Sequence, residues 1–362
     1  MRSVEIAVVG AGPAGLSAAL SAAGQGASVA LIERDEHLGG QLIKQTHKFF
    51  GSSRQEAGTR GVVIARRLSD AVGANSGIDV RLGSTVLGYY SDRVLYLEEP
   101  DRLSKLRAER TVFATGAAER MLTFGNNDRP GVYGAGAVQT LMNVHGVRPG
   151  RRVLMVGAWN IGLIVSYQLM QAGVEVAAIV EAAPRIGGYL VHAAKMRRAG
   201  VPIRTGYTVK EAVGEEVVEG AIVWRLDEKW RPVAGTEERI DCDVICLATG
   251  LNPLTELMWQ AGCRMAFVPE LGGHVPWHDD DLRTSMEGIY VAGDASGVEE
   301  ASAAMVGGRI AGLAAARSLG HTQGIEEKLA DARRELAALR AGPTGEKIRR
   351  GLERLQAGGV GR

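Results

Sequence analysis

The stretch Ile6-Ala7-Val8-Val9-Gly10-Ala11-Gly12-Pro13-Ala14-Gly15-Leu16 decides the fold. Ile6 to Val9 is short, apolar and β-branched, the pattern of a buried strand. Gly10, Gly12 and Gly15 lead into a small-residue helix from Leu16 to Ala23. Gly24 and Gly26 end that helix, and Ser28 to Ile32 forms a second strand. Glu33 stands at the end of that strand, at the separation from Gly15 that the fingerprint asks of its ribose-binding acid. Strand, glycine turn, helix, strand and terminal acid make the dinucleotide-binding fingerprint in its full context. Gly10 allows the tight turn, Gly12 lets the main chain approach a pyrophosphate, and Gly15 lets helix and strand pack closely. The helix N-terminus offers N–H groups and a positive dipole end to phosphates. Glu33 can accept hydrogen bonds from ribose hydroxyls.

The pattern recurs further along. Val153 to Val156 reads as a strand, Gly157-Ala158-Trp159-Asn160-Ile161-Gly162 as the turn, Leu163 to Gln171 as the helix and Val174 to Val180 as the next strand. Glu181 ends it, and each acid precedes a Gly-Gly pair by six, Gly39-Gly40 and Gly187-Gly188. The offset between copies is 147 at Gly10 and 148 at Glu33, so one chain carries two dinucleotide-type domains. Gly157, Asn160, Gly162 and Glu181 are the candidate contacts of the second, and Glu181 would favour NAD over NADP. Trp159 occupies the middle glycine position. Its indole either fills the pyrophosphate space, leaving a site that is altered or lost, or swings outward and spares it.

Two further stretches, Thr111 to Gly116 and Val244 to Gly250, read as apolar strands ending in Ala-Thr-Gly. Each would cross out of a nucleotide domain, with glycine permitting close passage by a cofactor. Thr284 to Asp294 reads as a short strand presenting Asp294 beside Gly293, and Ala301 to Leu319 as an alanine-rich helix. Asp294 would hold a ribityl hydroxyl, with the helix N-terminus facing a flavin. Together with the first fingerprint this points to FAD. The charged segment from His321 carries two helical stripes, Leu329, Leu336 and Leu339, then Ile348, Leu352 and Leu355, separated by Gly342-Pro343. They suit either packing helices or a docking surface for a partner subunit.

Composition narrows the function classes. The chain has 362 residues, enough for two domains. Its net charge of +1 gives no basic excess for nucleic acid. Glycine, 49 residues, is about twice the average usage without a collagen period, as expected of tight turns and close ligand approaches. Three cysteines, Cys242, Cys246 and Cys263, are too few for a disulfide scaffold and contain no Cys-x-x-Cys pair. The uncharged run between Glu5 and Glu33 is interrupted by Pro13, five glycines and polar residues, so no membrane span and no signal peptide is expected. The expected location is cytoplasmic.

The order of these motifs resembles the two-dinucleotide-domain flavoprotein oxidoreductases, the fold of thioredoxin and glutathione reductase. The resemblance covers residues 1 to 320. It implies an α/β fold of two Rossmann-like three-layer domains, the second inserted in the first. Residues 1–118 with 251–320 would bind FAD, 119–250 would form the second NAD(P)-like domain, and 321–362 a charged helical tail. It places FAD contacts at Gly10, Gly12, Pro13, Ala14 and Gly15, at Glu33 and Arg34, and at Gly40 and Gln41. Val86, Thr115, Gly116, Gly293 and Asp294 complete that set. More narrowly, Gly39 to Gly51, Pro130 to Gln139 and Leu271 to Pro276 resemble the α-type subunits of heteromeric sarcosine oxidase and of proline, hydroxyproline and opine dehydrogenases. That implies a β-type flavoprotein partner that oxidises the amine, and electron transfer through this chain. Many such subunits carry a two-iron two-sulfur cluster. Without a cysteine after Cys263 this chain holds none unaided, so any cluster would sit on a separate small subunit.

A disulfide reductase needs a redox cysteine pair beside the flavin, and Gly39-Gly40 is followed instead by Gln41. Hydride chemistry then belongs to the flavin itself. Lys44, His47 and Lys48 are the weak candidates for cations near its ring, or simply loop charges. His274 and His278 read as parts of a polar loop rather than metal ligands, since Pro276 breaks helical spacing, and no metal is expected. Three functions stay open: the α-type dehydrogenase subunit; a free-standing NADH-dependent flavoprotein reductase; and a non-catalytic nucleotide-binding scaffold in such a complex.

Overall fold

The structure is a computed structural model that describes residues 1–49, 53–343 and 345–358. Phe50 and Gly51, which close the Gly39 to Gly51 stretch, lie outside the described residues. The chain divides into two compact units, Met1–Ala118 with Leu251–Arg362, and Glu119–Gly250.

The first unit is built on a seven-stranded sheet. Ile78–Arg81, Val29–Ile32, Arg2–Val9 and the end of Arg102–Phe113 run parallel in that order, and Ile289–Val291 joins the free side of Phe113. Val94–Glu99 and Thr85–Tyr89 extend the sheet antiparallel. Ile6 to Val9 is buried on both faces, which is why this strand reads as one continuous apolar run. The helix Pro13–Ala23 is small and apolar all round because it lies between the sheet and the helix Ala301–Arg317. The two helices meet backbone to backbone: a side chain on Gly308 would strike Ala14 O at 2.1 Å, and one on Gly312 would strike Ala18 O at 2.2 Å.

The segment expected as a charged tail is helical at Ile325–Leu339 and Glu346–Ala357 and belongs to the first unit rather than standing apart. Ile325, Leu329, Ala332 and Leu336 enter the main core, and Leu355 packs with Val268, Leu271 and Val275. Both amphipathic stripes are therefore spent inside the unit.

The second unit has a five-stranded parallel sheet in the order Ile203–Thr205, Glu175–Glu181, Arg152–Val156, Val244–Leu247, Val132–Gly134. A three-stranded antiparallel sheet, Tyr207–Val213, Gly220–Arg225 and Glu238–Asp241, shares its second core. Each unit is thus an α/β dinucleotide-type domain, the second inserted into the first. No helix among the described residues is long and apolar enough to cross a membrane, and the uncharged run after Glu5 is strand, helix and strand.

Candidate cofactor site

Val9, Ile32, Phe113 and Val291 end their strands in register. The segments that follow emerge side by side at the carboxyl edge of the sheet: Gly10 to Gly15, Glu33, Ala114-Thr115-Gly116, and Gly293-Asp294. That edge is where open α/β sheets bind ligands. Main-chain bonds lock it, with Gly10 N donating to Ile32 O at 2.8 Å, Ala114 N to Val9 O at 2.8 Å and Ala292 N to Phe113 O at 2.9 Å.

Gly10 has φ of +99°, and a Cβ there would lie 2.4 Å from Ala114 O, so both conformation and space demand glycine. A Cβ on Gly15 would lie 1.8 Å from Gly10 O. Gly12 differs from both. Its φ of −74° and ψ of −173° suit any residue, and a Cβ would meet only Gly40 Cα at 3.9 Å. What Gly12 preserves is open space over the turn. Among the described residues no side chain caps the helix that Pro13 and Ala14 begin, so its first N–H groups can face an anion.

Glu33 is buried and accepts from Ala11 N at 2.7 Å and Asp35 N at 3.0 Å. It braces the glycine turn from behind, a role local sequence pattern does not reveal. Its remaining lone pairs can still take ribose hydroxyls. Asp294 is half-buried. Burial pushes its carboxyl up to about 7, the charges of Glu299 and Glu300 add to this, and the Glu299 N–H at 3.3 Å opposes it. A Cβ on Gly293 would touch Ala14 Cβ at 2.8 Å, so the Asp294 turn abuts the first glycine turn.

The other sequence candidates spread around this edge. Thr115 Oγ1 donates to Leu254 O at 2.6 Å, tying down the returning chain, and Gly116 follows with φ of +75°. Val86 is half-buried on Thr85–Tyr89, two positions beyond Ser84, whose N–H reaches Glu33 O at 2.8 Å. Arg34 and Gln41 are exposed. Gly40 opens the short 3-10 turn Gly40–Lys44. Lys44 and His47 are half-buried and Lys48 is exposed, with His47 stacked on Phe49 at 6.0 Å between ring centres. Leu42 and Phe49 pack toward Ala301 and Met305, which brings this loop to the helix that follows Asp294.

The second unit repeats the first turn almost atom for atom. Gly157 has φ of +112° and a Cβ on Gly162 would strike Gly157 O at 2.0 Å, while Glu181 accepts from Ala158 N at 2.7 Å and Ala183 N at 2.9 Å. At the middle position Trp159 keeps the extended backbone, φ −83° and ψ 179°. Its indole lies against Gly187, where a Cβ would come within 2.3 Å of the ring, and it remains 53% exposed. Asn160 Oδ1 accepts from Tyr189 N at 2.8 Å, so this side chain is engaged by the loop beside the turn.

The three cysteines are buried free thiols. Burial pushes Cys242 up to about 11, Cys246 further, and raises Cys263, so none resembles a reactive thiolate. His278 is buried with its Nδ1 against Asp279 O, and His274 is exposed beside Trp259 and Phe267.

Residues 4–308 match the model of the pyridine nucleotide-disulphide oxidoreductase family, and the chain belongs to that family. It is 30% identical over 331 residues to the alpha subunit of sarcosine oxidase from Rhizobium meliloti (strain 1021), covering 87% of this chain and 31% of that one. It is 30% identical over 335 residues to an opine oxidase subunit from Agrobacterium tumefaciens (strain Ach5), covering 87% and 66%. Among solved structures it is similar to L-proline dehydrogenase from P. horikoshii, with TM-score 0.70, 27% identity, and 91% and 59% coverage. The chain thus spans about a third of the sarcosine oxidase protein and about two-thirds of the opine oxidase protein. Membership makes it an oxidoreductase and implies FAD. The first unit fits that group: an open space over an uncapped helix, and a half-open carboxylate with one long hydrogen bond among the described residues.

Proposed function

We propose that this chain is the α-type, electron-transferring subunit of a heteromeric amine or imino-acid dehydrogenase of the sarcosine, proline, hydroxyproline or opine type. FAD would be held by Gly10, Gly12, Gly15, Glu33, Gly40 and Asp294. When bound it supplies reversible two-electron chemistry. The chain supplies main-chain N–H groups for the pyrophosphate, Glu33 for the ribose and Asp294 for a ribityl hydroxyl. A carboxyl whose pKa lies near neutrality can donate as well as accept there.

The observation that carries the reading is the pairing of an open first turn with a second turn covered by Trp159. Both turns are framed alike, but the second carries an indole, lying against Gly187, at the position that must stay bare for a pyrophosphate, and this supports a second site that is altered or lost. Electrons would then enter from a β-type flavoprotein partner that oxidises the C–N bond, rather than from NADH. Any iron-sulfur cluster would be on a separate small subunit. The buried, high-pKa thiols support reading the chain as something other than a disulfide reductase. The subunit names of the relatives support a partnered protein.

The test is reconstitution. The FAD-loaded chain is mixed anaerobically with a candidate β-type flavoprotein and given proline, hydroxyproline, sarcosine or an opine. Bleaching of this chain's flavin only when partner and substrate are both present supports the proposal. Bleaching by NADH alone would favour the free-standing reductase, and adenine nucleotide binding without flavin would favour the scaffold.

A further inference from the structure

The helices Ile325–Leu339 and Glu346–Ala357 lie beyond the residues that match the family model, yet one side chain from them reaches the approach to the cofactor site. Arg340, at the end of the first of these helices, grips Glu299 with two bonds: Nε to Oε2 at 3.0 Å and Nη2 to Oε1 at 2.5 Å. Both side chains are largely buried, 19% and 11% exposed, so this is a desolvated bidentate pair rather than a surface contact. The main-chain N–H of the same Glu299 reaches Asp294 Oδ1. Arg340 is itself fixed from the second helix, because Arg349 Nη1 donates to Arg340 O and to Gly342 O. On the other side of the turn, Val298 N donates to Leu271 O at 3.0 Å, and Leu271 packs with Leu355 of that helix.

We propose that Arg340 is a positioning residue for the Asp294 end of the flavin site, acting through Glu299. This rests on the reading that the first unit holds FAD. The clamp does two things. It fixes the 294–299 turn, so that Asp294 meets its ligand without further ordering. It also sets a positive charge against the Glu299 carboxylate, which lies beside Asp294 and the start of helix Ala301–Arg317, and so offsets part of its effect there. Glu300, on the same segment, also acts on Asp294, and His278 lies near Arg340, with burial holding its imidazole below the ordinary histidine range.

The experiment compares R340Q, R340K, E299Q and the double variant R340Q/E299Q with the full-length wild type. FAD is titrated into each deflavinated protein, thermal unfolding of the apo forms is recorded, and the two-electron potential of the loaded forms is measured. R340Q leaves an uncompensated negative charge, so its FAD dissociation constant should rise at least about tenfold and its potential should move negative. E299Q leaves a positive charge, so its potential should move positive. The double variant should lie between the two, and R340K should retain most of the wild-type affinity. Opposite signs are the signature, because mere loosening would move both variants the same way. Equal loss of stability in R340Q and E299Q, with unchanged FAD affinity and potentials, would overturn the proposal. If R340Q fails to fold, a negative or zero shift in E299Q alone would do so. A wild type that binds no FAD at all fails earlier, at the reading of the first unit, and takes the proposal down with it.

Discussion

At the first glycine turn the chain takes φ −74° and ψ −173° at Gly12; at the second it takes φ −83° and ψ 179° at Trp159. The backbone is the same, and so is its support. Ala11 N and Ala158 N each donate to a buried strand-end glutamate at 2.7 Å. The first and last glycines of both turns press on carbonyl oxygens in the same way. Three side chains differ, Pro13 against Asn160, Ala14 against Ile161 and, at the middle position, Gly12 against Trp159. Fold and ligand space are therefore separate demands on one motif. Positions 10, 15, 157 and 162 need glycine for the chain to pass, while position 12 needs it only if something lies above.

The largest effect should come from breaking what the turns share. G15A and G162A each force a Cβ against a carbonyl oxygen, at 1.8 and 2.0 Å. Each should cost about 3 kcal/mol or more in urea unfolding. A mild G162A would mean that the second turn is not held as the first is.

The exchange of middle residues comes next. G12W should fold, with a stability change under about 1 kcal/mol, because its backbone is already that of Trp159. FAD retention should fall at least about 100-fold, equivalent to about 2.7 kcal/mol. The reciprocal W159G should gain NADH binding, read by fluorescence titration. Loss of folding in G12W, or no gain in W159G, would break the comparison.

The bracing acids sharpen it further. E33Q and E181Q each replace a carboxylate that accepts two main-chain N–H bonds, which should cost about 2 kcal/mol apiece. Only E33Q should also weaken FAD binding. The smallest effect belongs to Asp294, which has no counterpart in that motif. Its folded pKa lies above the unfolded value, so its contribution to apo-protein stability is present below about pH 4 and lost as pH rises through about 7. D294N should therefore gain on the wild type across that window and hold the gain above it. The gain should be on the order of 1–2 kcal/mol, discounted for the partial exposure of the carboxyl. A constant difference across pH 4 to 8 would remove Asp294 as the titrating group.

Much of the site was legible because its parts are local. Strand, turn, helix and terminal acid fall in one short run from Ile6 to Glu33, and each leaves a mark in residue type. The recurrence at Gly157 is legible for the same reason. What the sequence hid was long-range. Glu33 braces Ala11 from 22 positions away, and Arg340 clamps Glu299 from 41. Gln55 meets Glu335 across 280. A charged residue in an amphipathic helix carries no sign of which buried acid it will pair with. The stripes of Leu329, Leu336 and Leu355 show that those helices pack, but not that they pack onto the unit carrying Asp294. For Trp159 the sequence left two orientations open. The structure lays the ring along Gly187, where the lack of a side chain in a later loop makes room for it.

The central claim is an open first turn and a covered second one, and an anaerobic absorbance spectrum of the purified, FAD-replenished protein tests it most directly. The account predicts flavin bands that one equivalent of NADH leaves unchanged. Flavin bands that NADH bleaches within seconds would contradict it.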